Sequence, residues 1–398
     1  MMEGQSIVCF AKDWTEDPTS NNHVMKMLAK DNKVLWLNSI STRTPDFKSG
    51  RDLSKIGKKL KSFAQGPREV EAGLNVYTPI VLPFPHSKAA VALNGEILRR
   101  TVGLMRRRLG MHDFQLWSFI PTAVKYVGKM GESFVVYYCT DEWSHFSYVD
   151  GPKIVAMEKE LCQRADIVFT TAKTLLERKK EYNPETHLAS HGVDYAHFAK
   201  ALDPQTQIPA EIAGLKGPVI GFIGLIQDWV DTDVIAYMAS QKPDWNFVVI
   251  GKSMVDLSHL EKLKNVHLLG RKPYADLPPY CKAFHVGIIP FRLNELTRNV
   301  NPIKLREYFS AGLPVVSSDI PEVRHYHDPR FGAEDGALGC GVAKDHPEFL
   351  ALVEKALRED TPDARKKRSD AMQQETWEKK VEQLGNHIAR VKAKKARS

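Results

Sequence analysis

The sequence predicts an α/β protein made of two doubly wound parallel sheets in tandem. Three observations predict it. Short apolar runs alternate with segments of helical period from residue 6 to about residue 180, and strands separated by helices pair in parallel. After a polar stretch, about Tyr182–Gly217, the alternation restarts at Pro218. The 398 residues also leave room for two domains of roughly 100–200 residues each.

In the first half, Ser6–Phe10 is the first strand, followed by a polar loop and a helix from about His23 to Ala29. Lys33–Leu37 and Leu74–Pro79 are further strands, and a helix spans roughly Ala89–Leu109. Phe114–Trp117, Phe134–Tyr138 and Ile167–Thr170 complete the strand series, with a helix over about Val155–Arg164. In the second half, Pro218–Ile223, Trp245–Gly251, Val266–Gly270, Val286–Pro290 and Val315–Ser317 are strands. Helices fall at Val230–Ser240, from Asp276, and at Ile303–Gly312, the last stopped by its glycine. The expected domains are 1–190, 191–370 and a returning helix with a basic tail, 371–398.

The net charge is +8, which invites a nucleic-acid or anionic-membrane partner. It is unevenly placed: residues 1–190 carry 27 basic and 21 acidic side chains, residues 191–371 carry 22 and 24, and the last 27 residues carry 7 and 3. No recognised nucleic-acid module or aromatic-basic stripe accompanies it, so no nucleic-acid partner is expected. No run approaches the roughly 18 apolar residues that span a bilayer, and the start lacks the pattern of a secretory leader. The five cysteines, Cys9, Cys139, Cys162, Cys281 and Cys340, are odd in number and form no CxxC pair. A reduced, cytoplasmic setting follows, with no structural zinc. There is no GxxxxGK[ST] loop, no GxSxG and no GxGxxG, so a nicotinamide site has no support.

The sharpest signal is Asn301-Pro302-Ile303-Lys304-Leu305-Arg306-Glu307-Tyr308-Phe309-Ser310-Ala311-Gly312-Leu313-Pro314-Val315-Val316. Pro302 suits the first position of a helix. Leu305, Tyr308 and Phe309 form a face for packing on a sheet. Lys304 and Glu307, three apart, share another face near the helix start, where free N–H groups and the helix dipole favour an anion. A lysine, amides and a carboxylate together suit a nucleoside diphosphate. An ordinary surface Lys–Glu pair has the same spacing.

This segment resembles the donor-site helix of retaining glycosyltransferases of the GT-B fold (family 4, group 1), and more closely the branch that includes teichuronic acid and polysaccharide glycosyltransferases. His191-Gly192-Val193-Asp194-Tyr195-Ala196-His197-Phe198, Gly221-Phe222-Ile223-Gly224 and Thr376-Trp377-Glu378 resemble other segments of the family, in its order, over about residues 185–390. LWSFIP (116–121) and YYCTDEWSHF (137–146) add to this in the first half. The resemblance implies two Rossmann-like domains facing across a cleft, an N-terminal acceptor domain, a C-terminal donor domain and a final helix crossing back. It implies that Glu307 holds the nucleotide ribose, that Lys304 neutralises the diphosphate with Arg292 as a second candidate, that Gly224 admits the phosphates, and that Arg271 and Tyr274 lie at the base pocket. The family's first glutamate, eight positions before Glu307, is replaced by Asn299. The donor-sugar contact then falls to Asn299, Asn301 or Glu295. The basic pair that many members carry after the first glycine turn is replaced by Leu225 and Val230.

In the first half, Asp13, His23 and Asp141 follow strands, where open α/β sheets bind ligands, and are the acceptor-side candidates; Asp141 is also a catalytic candidate beside Lys304, Glu307 and Arg292. Each also has a local reading: Asp13 shaping its loop, His23 sitting in a helix turn, Asp141 orienting a turn beside Trp143. Arg51–Ala64 is basic with Leu53, Ile56, Leu60 and Phe63 at helical spacing, and Arg106-Arg107-Arg108 adds charge. That pattern fits either an interfacial helix on anionic lipid or a domain helix with a solvated face. The resulting expectation is a nucleotide-sugar-dependent transferase acting on a glycan or lipid-linked acceptor, without metal or cofactor, cytoplasmic or peripheral on the inner membrane face. A sugar-nucleotide epimerase of the same fold, a non-catalytic binding subunit of that fold and a basic nucleic-acid binder are the alternatives.

Overall fold

The computed structural model describes residues 2–39, 57, 61–63, 65–82, 84, 87–326 and 338–397. Of the basic stretch Arg51–Ala64, only Gly57 and residues 61–63 are among them. Phe63 packs on the core of the first sheet, while Leu53, Ile56 and Leu60 lie outside the described residues. The chain divides into two compact units: Met1–Ala189 with Val381–Ser398, and Ser190–Lys380.

The first unit contains β1 (Ser6–Phe10), α1 (Ser20–Ala29), β2 (Lys33–Leu37), β3 (Arg68–Glu71), β4 (Leu74–Tyr77), α2 (Lys88–Arg108), β5 (Gln115–Ser118), β6 (Phe134–Cys139), α3 (Gly151–Arg164), β7 (Ile167–Thr170), α4 (Lys173–Lys180) and β8 (Thr186–Leu188). Its sheet runs β3-β4-β2-β1-β5-β6-β7-β8. Every neighbouring pair is parallel except β3–β4. The central strands are buried: Val8, Leu35, Leu116, Tyr137 and Val168 pack with Leu98 and Val102 of α2 and Leu161 of α3. α3 starts four residues before the apolar period announces it. Asp150 caps it, accepting from the Lys153 N–H at 3.3 Å, and Pro152 occupies its first turn. β3, α4 and β8 carry little apolar signal, being REVE, KTLLERKK and THL.

The second unit contains β9 (Val219–Ile223), α5 (Thr232–Gln241), β10 (Asn246–Ile250), β11 (Val266–Gly270), α6 (Leu277–Ala283), β12 (Val286–Ile289), α7 (Ile303–Ser310), β13 (Val315–Ser318), β14 (Cys340–Ala343), α8 (His346–Glu359) and α9 (Pro362–Ala371). Its sheet is all parallel, ordered β11-β10-β9-β12-β13-β14. The strand order reverses between β9 and β12, and such a switch point opens a crevice at the carboxyl ends of the strands. α9 belongs to this unit: the Arg368 Nε–H donates to the Gly312 carbonyl at 2.9 Å and the Ser369 hydroxyl to the Ser310 carbonyl at 2.7 Å.

The last helix, α10 (Trp377–Lys395), begins in the second unit, and from Val381 onward it belongs to the first. Its end is tied by Lys394 to Glu185 and by Lys395 to Asp166, both at 2.7 Å. Exposed pairs of this kind contribute at most about 1 kcal/mol each. His387 also stacks on His187 of β8, with ring centroids 4.4 Å apart and 18° between planes. Arg390 lies 3.2 Å from His187 and 3.4 Å from His387. Glu185 faces His187 at 3.3 Å, Phe169 packs on both rings, and Lys180 adds positive charge. Burial, then the neighbouring positive charge, lowers both imidazole pKa values, with Glu185 opposing. The unfolded chain therefore binds these protons more readily than the folded one. The contact holds above the ordinary histidine value and weakens as pH falls through and below it. Amide exchange over Leu384–Val391 is expected to speed up between about pH 7.5 and about pH 5.5, after correction for intrinsic rates. A His187→Gln/His387→Gln variant is expected to lose that dependence.

Candidate functional site

The connections after β9, β10, β11 and β12 leave the second sheet at its carboxyl edge. Within this edge, α7 is fixed against β9. The Ile223 N–H donates to the Tyr308 hydroxyl at 2.7 Å. The Tyr308 ring lies over Gly287 of β12, where a Cβ would come within 2.7 Å of it. The start of α7 is thereby held at the strand-order switch. Pro302 does not open this helix but precedes it as the cap residue, with φ −72° and ψ 113°. Its extended ψ keeps it outside the first turn, so the first N–H groups belong to Ile303 and Lys304.

Lys304 and Glu307 form an ion pair one turn apart, with side chains 24% and 4% exposed. The carboxylate is thus nearly enclosed while the ammonium remains reachable. Tyr274 stacks on His197, with centroids 4.8 Å apart and 17° between planes, and the two also join through His197 Nε2 and the Tyr274 carbonyl at 2.9 Å. Burial, with the nearby Glu307 and Asp194 carboxylates, raises the Tyr274 phenol pKa far above its usual value. Arg271 is exposed beyond the end of β11.

Other candidates have defined partners. The Arg292 guanidinium lies 3.0 Å from Asp233 and 3.8 Å from Asp231, at the start of α5. Asn301 accepts from Arg306 at 2.7 Å and faces Glu322 at 3.4 Å. Arg306, buried on α7, also reaches Glu375 at 3.2 Å. Asn299 donates through Nδ2 to the Glu295 carbonyl at 2.6 Å. Its Oδ1 is buried with no partner among the described residues, an acceptor left for a donor that the chain does not supply. Leu225 is exposed and Val230 lies in the core, so neither offers charge to a phosphate.

Gly224 has some room: a Cβ there would meet only the Phe222 ring, at 3.2 Å. The glycine that this turn requires is Gly251, after β10. Its φ is 151°, and a Cβ would fall 1.7 Å from the Gly224 carbonyl oxygen. Gly251→Ala is expected to lower stability by more than about 1 kcal/mol, read as a drop in the thermal midpoint. Sequence reasoning placed Gly251 only as a strand end, and a glycine directly after a buried strand was the available signal.

In the first unit, Asp13 accepts from the Ser39 N–H at 2.9 Å and its hydroxyl at 2.7 Å, which fastens the loops after β1 and β2 together. His23 is buried within α1. Asp141 follows β6, and burial raises its carboxyl pKa. Beside it lies a charged group that sequence reasoning missed. Lys179 meets Glu158 at 2.7 Å and Glu142 at 3.5 Å, and all three are buried. Tyr137 donates to Glu158 at 2.5 Å, and Arg178 lies 3.3 Å from Glu142. The signal was a charge within an apolar helical stripe: Glu158 with Ile154, Leu161 and Cys162, and Lys179 with Leu175. Among the described residues, no cluster of three or more histidines, cysteines or carboxylates is placed to hold a metal ion.

This architecture is the GT-B fold. It is similar over 98% of the chain and 99% of the other to sucrose-phosphate synthase from Thermosynechococcus elongatus, with TM-score 0.68 and 14% identity. It is also similar to Anabaena HepE in complex with UDP and glucose, over 97% of the chain and 99% of the other, with TM-score 0.65 and 12% identity. Residues 217–359, within the second unit, match the family model of glycosyl transferases group 1. In sequence, 240 residues are 30% identical to TuaH of Bacillus subtilis (strain 168), whose name assigns it as a teichuronic acid biosynthesis glycosyltransferase. That match covers 56% of the chain and 58% of TuaH, so the chain spans little more than half the length of this relative.

Proposed function

We propose that the protein transfers a sugar from a nucleotide-sugar donor to a glycan or lipid-linked acceptor in surface polysaccharide synthesis, with retention of anomeric configuration. The observation that carries this reading is the Lys304–Glu307 pair in the first turns of α7, at the strand-order switch of a group 1 glycosyltransferase segment. Glu307, nearly enclosed, accepts from the ribose hydroxyls. Lys304 turns from Glu307 toward the diphosphate, joined by the first N–H groups of α7. The unpartnered Asn299 Oδ1 accepts from a hydroxyl of the donor sugar. As the bond from the anomeric carbon to the diphosphate oxygen breaks, negative charge grows on that oxygen and Lys304 stabilises it. The acceptor hydroxyl oxygen bonds the anomeric carbon from the same face, and its proton passes to the departing phosphate. Arg292 joins only by leaving Asp231 and Asp233, which makes it the lesser contributor.

The first unit is assigned the acceptor, with Asp141 as its candidate polar contact. We assign the protein to the cytoplasm or the inner membrane face. What supports that is the basic excess of residues 1–190, together with the lack, among the described residues, of any helix long and apolar enough to cross a membrane. The test is release of nucleoside diphosphate from a panel of nucleotide sugars, with and without a cell-surface glycan acceptor. Acceptor-dependent release with an axial or equatorial product linkage matching the donor, read by proton NMR, is the expected result. Conversion of the donor sugar without an acceptor would instead identify an epimerase. Pelleting with anionic but not neutral vesicles tests the membrane assignment.

A further inference from the structure

The loop after β6 carries three aromatic side chains close together at the surface of the first unit. Trp143 and Phe146 lie with centroids 5.6 Å apart. Phe146 stacks on Tyr148 at 5.4 Å with 24° between planes, and Tyr148 is 65% exposed. The loop is held from beneath. Glu142 accepts from the Ser144 hydroxyl at 2.7 Å and is gripped by Arg178 and Lys179, while the His145 N–H returns to the Glu142 carbonyl at 3.2 Å. At its far end a Cβ on Gly151 would come within 2.8 Å of the Ser144 carbonyl, so the loop closes tightly on the start of α3. The Trp143 indole N–H is buried without an acceptor among the described residues, an unmet donor that packing alone does not explain.

We propose that Tyr148, backed by Phe146 and Trp143, stacks on a pyranose ring of the acceptor glycan; this rests on the transferase reading above. A pyranose offers a face of C–H bonds to the negative face of an aromatic ring, and its hydroxyls bond polar groups at the rim. Those groups are present: Asp141 at the loop's start, and His145 and Ser147, both exposed. The loop lies at the carboxyl ends of parallel strands, where this fold class binds ligands. Its charge gives anionic lipid little to hold: residues 141–150 include no lysine or arginine, the side chains that anionic headgroups attract.

The test uses the full chain and saturation-transfer NMR with methyl glycosides and disaccharides of glucose, galactose, N-acetylglucosamine and glucuronic acid. Wild type is expected to bind at least one of them, with saturation strongest on ring C–H protons. Tyr148→Ala and Phe146→Leu are expected to weaken that binding about tenfold, or about 1.4 kcal/mol, with the thermal midpoint and the stabilisation by nucleotide unchanged. Equal binding by wild type and Tyr148→Ala would overturn the stacking. So would failure of wild type to bind any of these sugars, or loss of vesicle pelleting in Tyr148→Ala. Sugar binding through Tyr148 in a protein that binds no nucleotide would refute the transferase reading and leave the stacking standing.

Discussion

Replacing Glu307 with alanine is expected to reduce kcat/KM for the nucleotide sugar by about 10- to 150-fold, the equivalent of about 1.5–3 kcal/mol for hydrogen bonds to a charged group. The carboxylate is nearly enclosed, so its bonds to ribose hydroxyls would form out of bulk water, where they are stronger. The variant also leaves Lys304 without its partner. Glu307→Gln keeps the shape and loses the charge, and is expected to fall between wild type and Glu307→Ala. Steady-state kinetics at several donor concentrations separate the contributions. Lost ribose contacts raise KM, whereas a displaced Lys304 lowers kcat. Unchanged kinetics in both variants would remove Glu307 from the site.

Lys179→Met is expected to cost about 3–5 kcal/mol, because it breaks a buried ion pair and leaves Glu158 without its cation and Glu142 with only the partly exposed Arg178. For a unit of about 200 residues that is a fall in the thermal midpoint of roughly 6–20 °C. A Lys179→Met/Glu158→Leu double variant is expected to recover part of the loss, since the uncompensated charge beside Tyr137 is gone. Thermal unfolding of both single variants and the double variant gives the coupling. Additive losses would mean that the two side chains act independently, against the observed 2.7 Å contact.

The sheets were legible because their strands are buried apolar runs of four to six residues, such as FVVYYC and VIGFI, separated by segments of helical length. Elements without an apolar run were not: β3 is a charged edge hairpin, β8 has three residues, and α4 is mostly Lys, Arg and Glu. Within the site, Lys304 and Glu307 were legible because a single helix carries both at a fixed spacing. Partners brought from afar were not. Arg292 meets Asp233, 59 positions away, and Arg306 joins Asn301 to Glu375, 69 positions beyond Arg306. Every residue of α7 from Leu305 to Ser310 is buried, so no polar face marks Arg306 as internal. The Pro302 register was off by one because a proline suits both the cap and the first turn.

Thermal shift with UDP-, GDP-, dTDP- and ADP-sugars reads nucleotide-sugar binding at the start of α7 without any acceptor. A ligand that binds only the folded state raises its midpoint by mass action. One nucleotide class is expected to raise the wild-type midpoint, with the shift lost in Lys304→Ala and Glu307→Ala and kept in Arg292→Gln. No shift with any nucleotide, or full shifts in both α7 variants, would mean that α7 does not hold the donor.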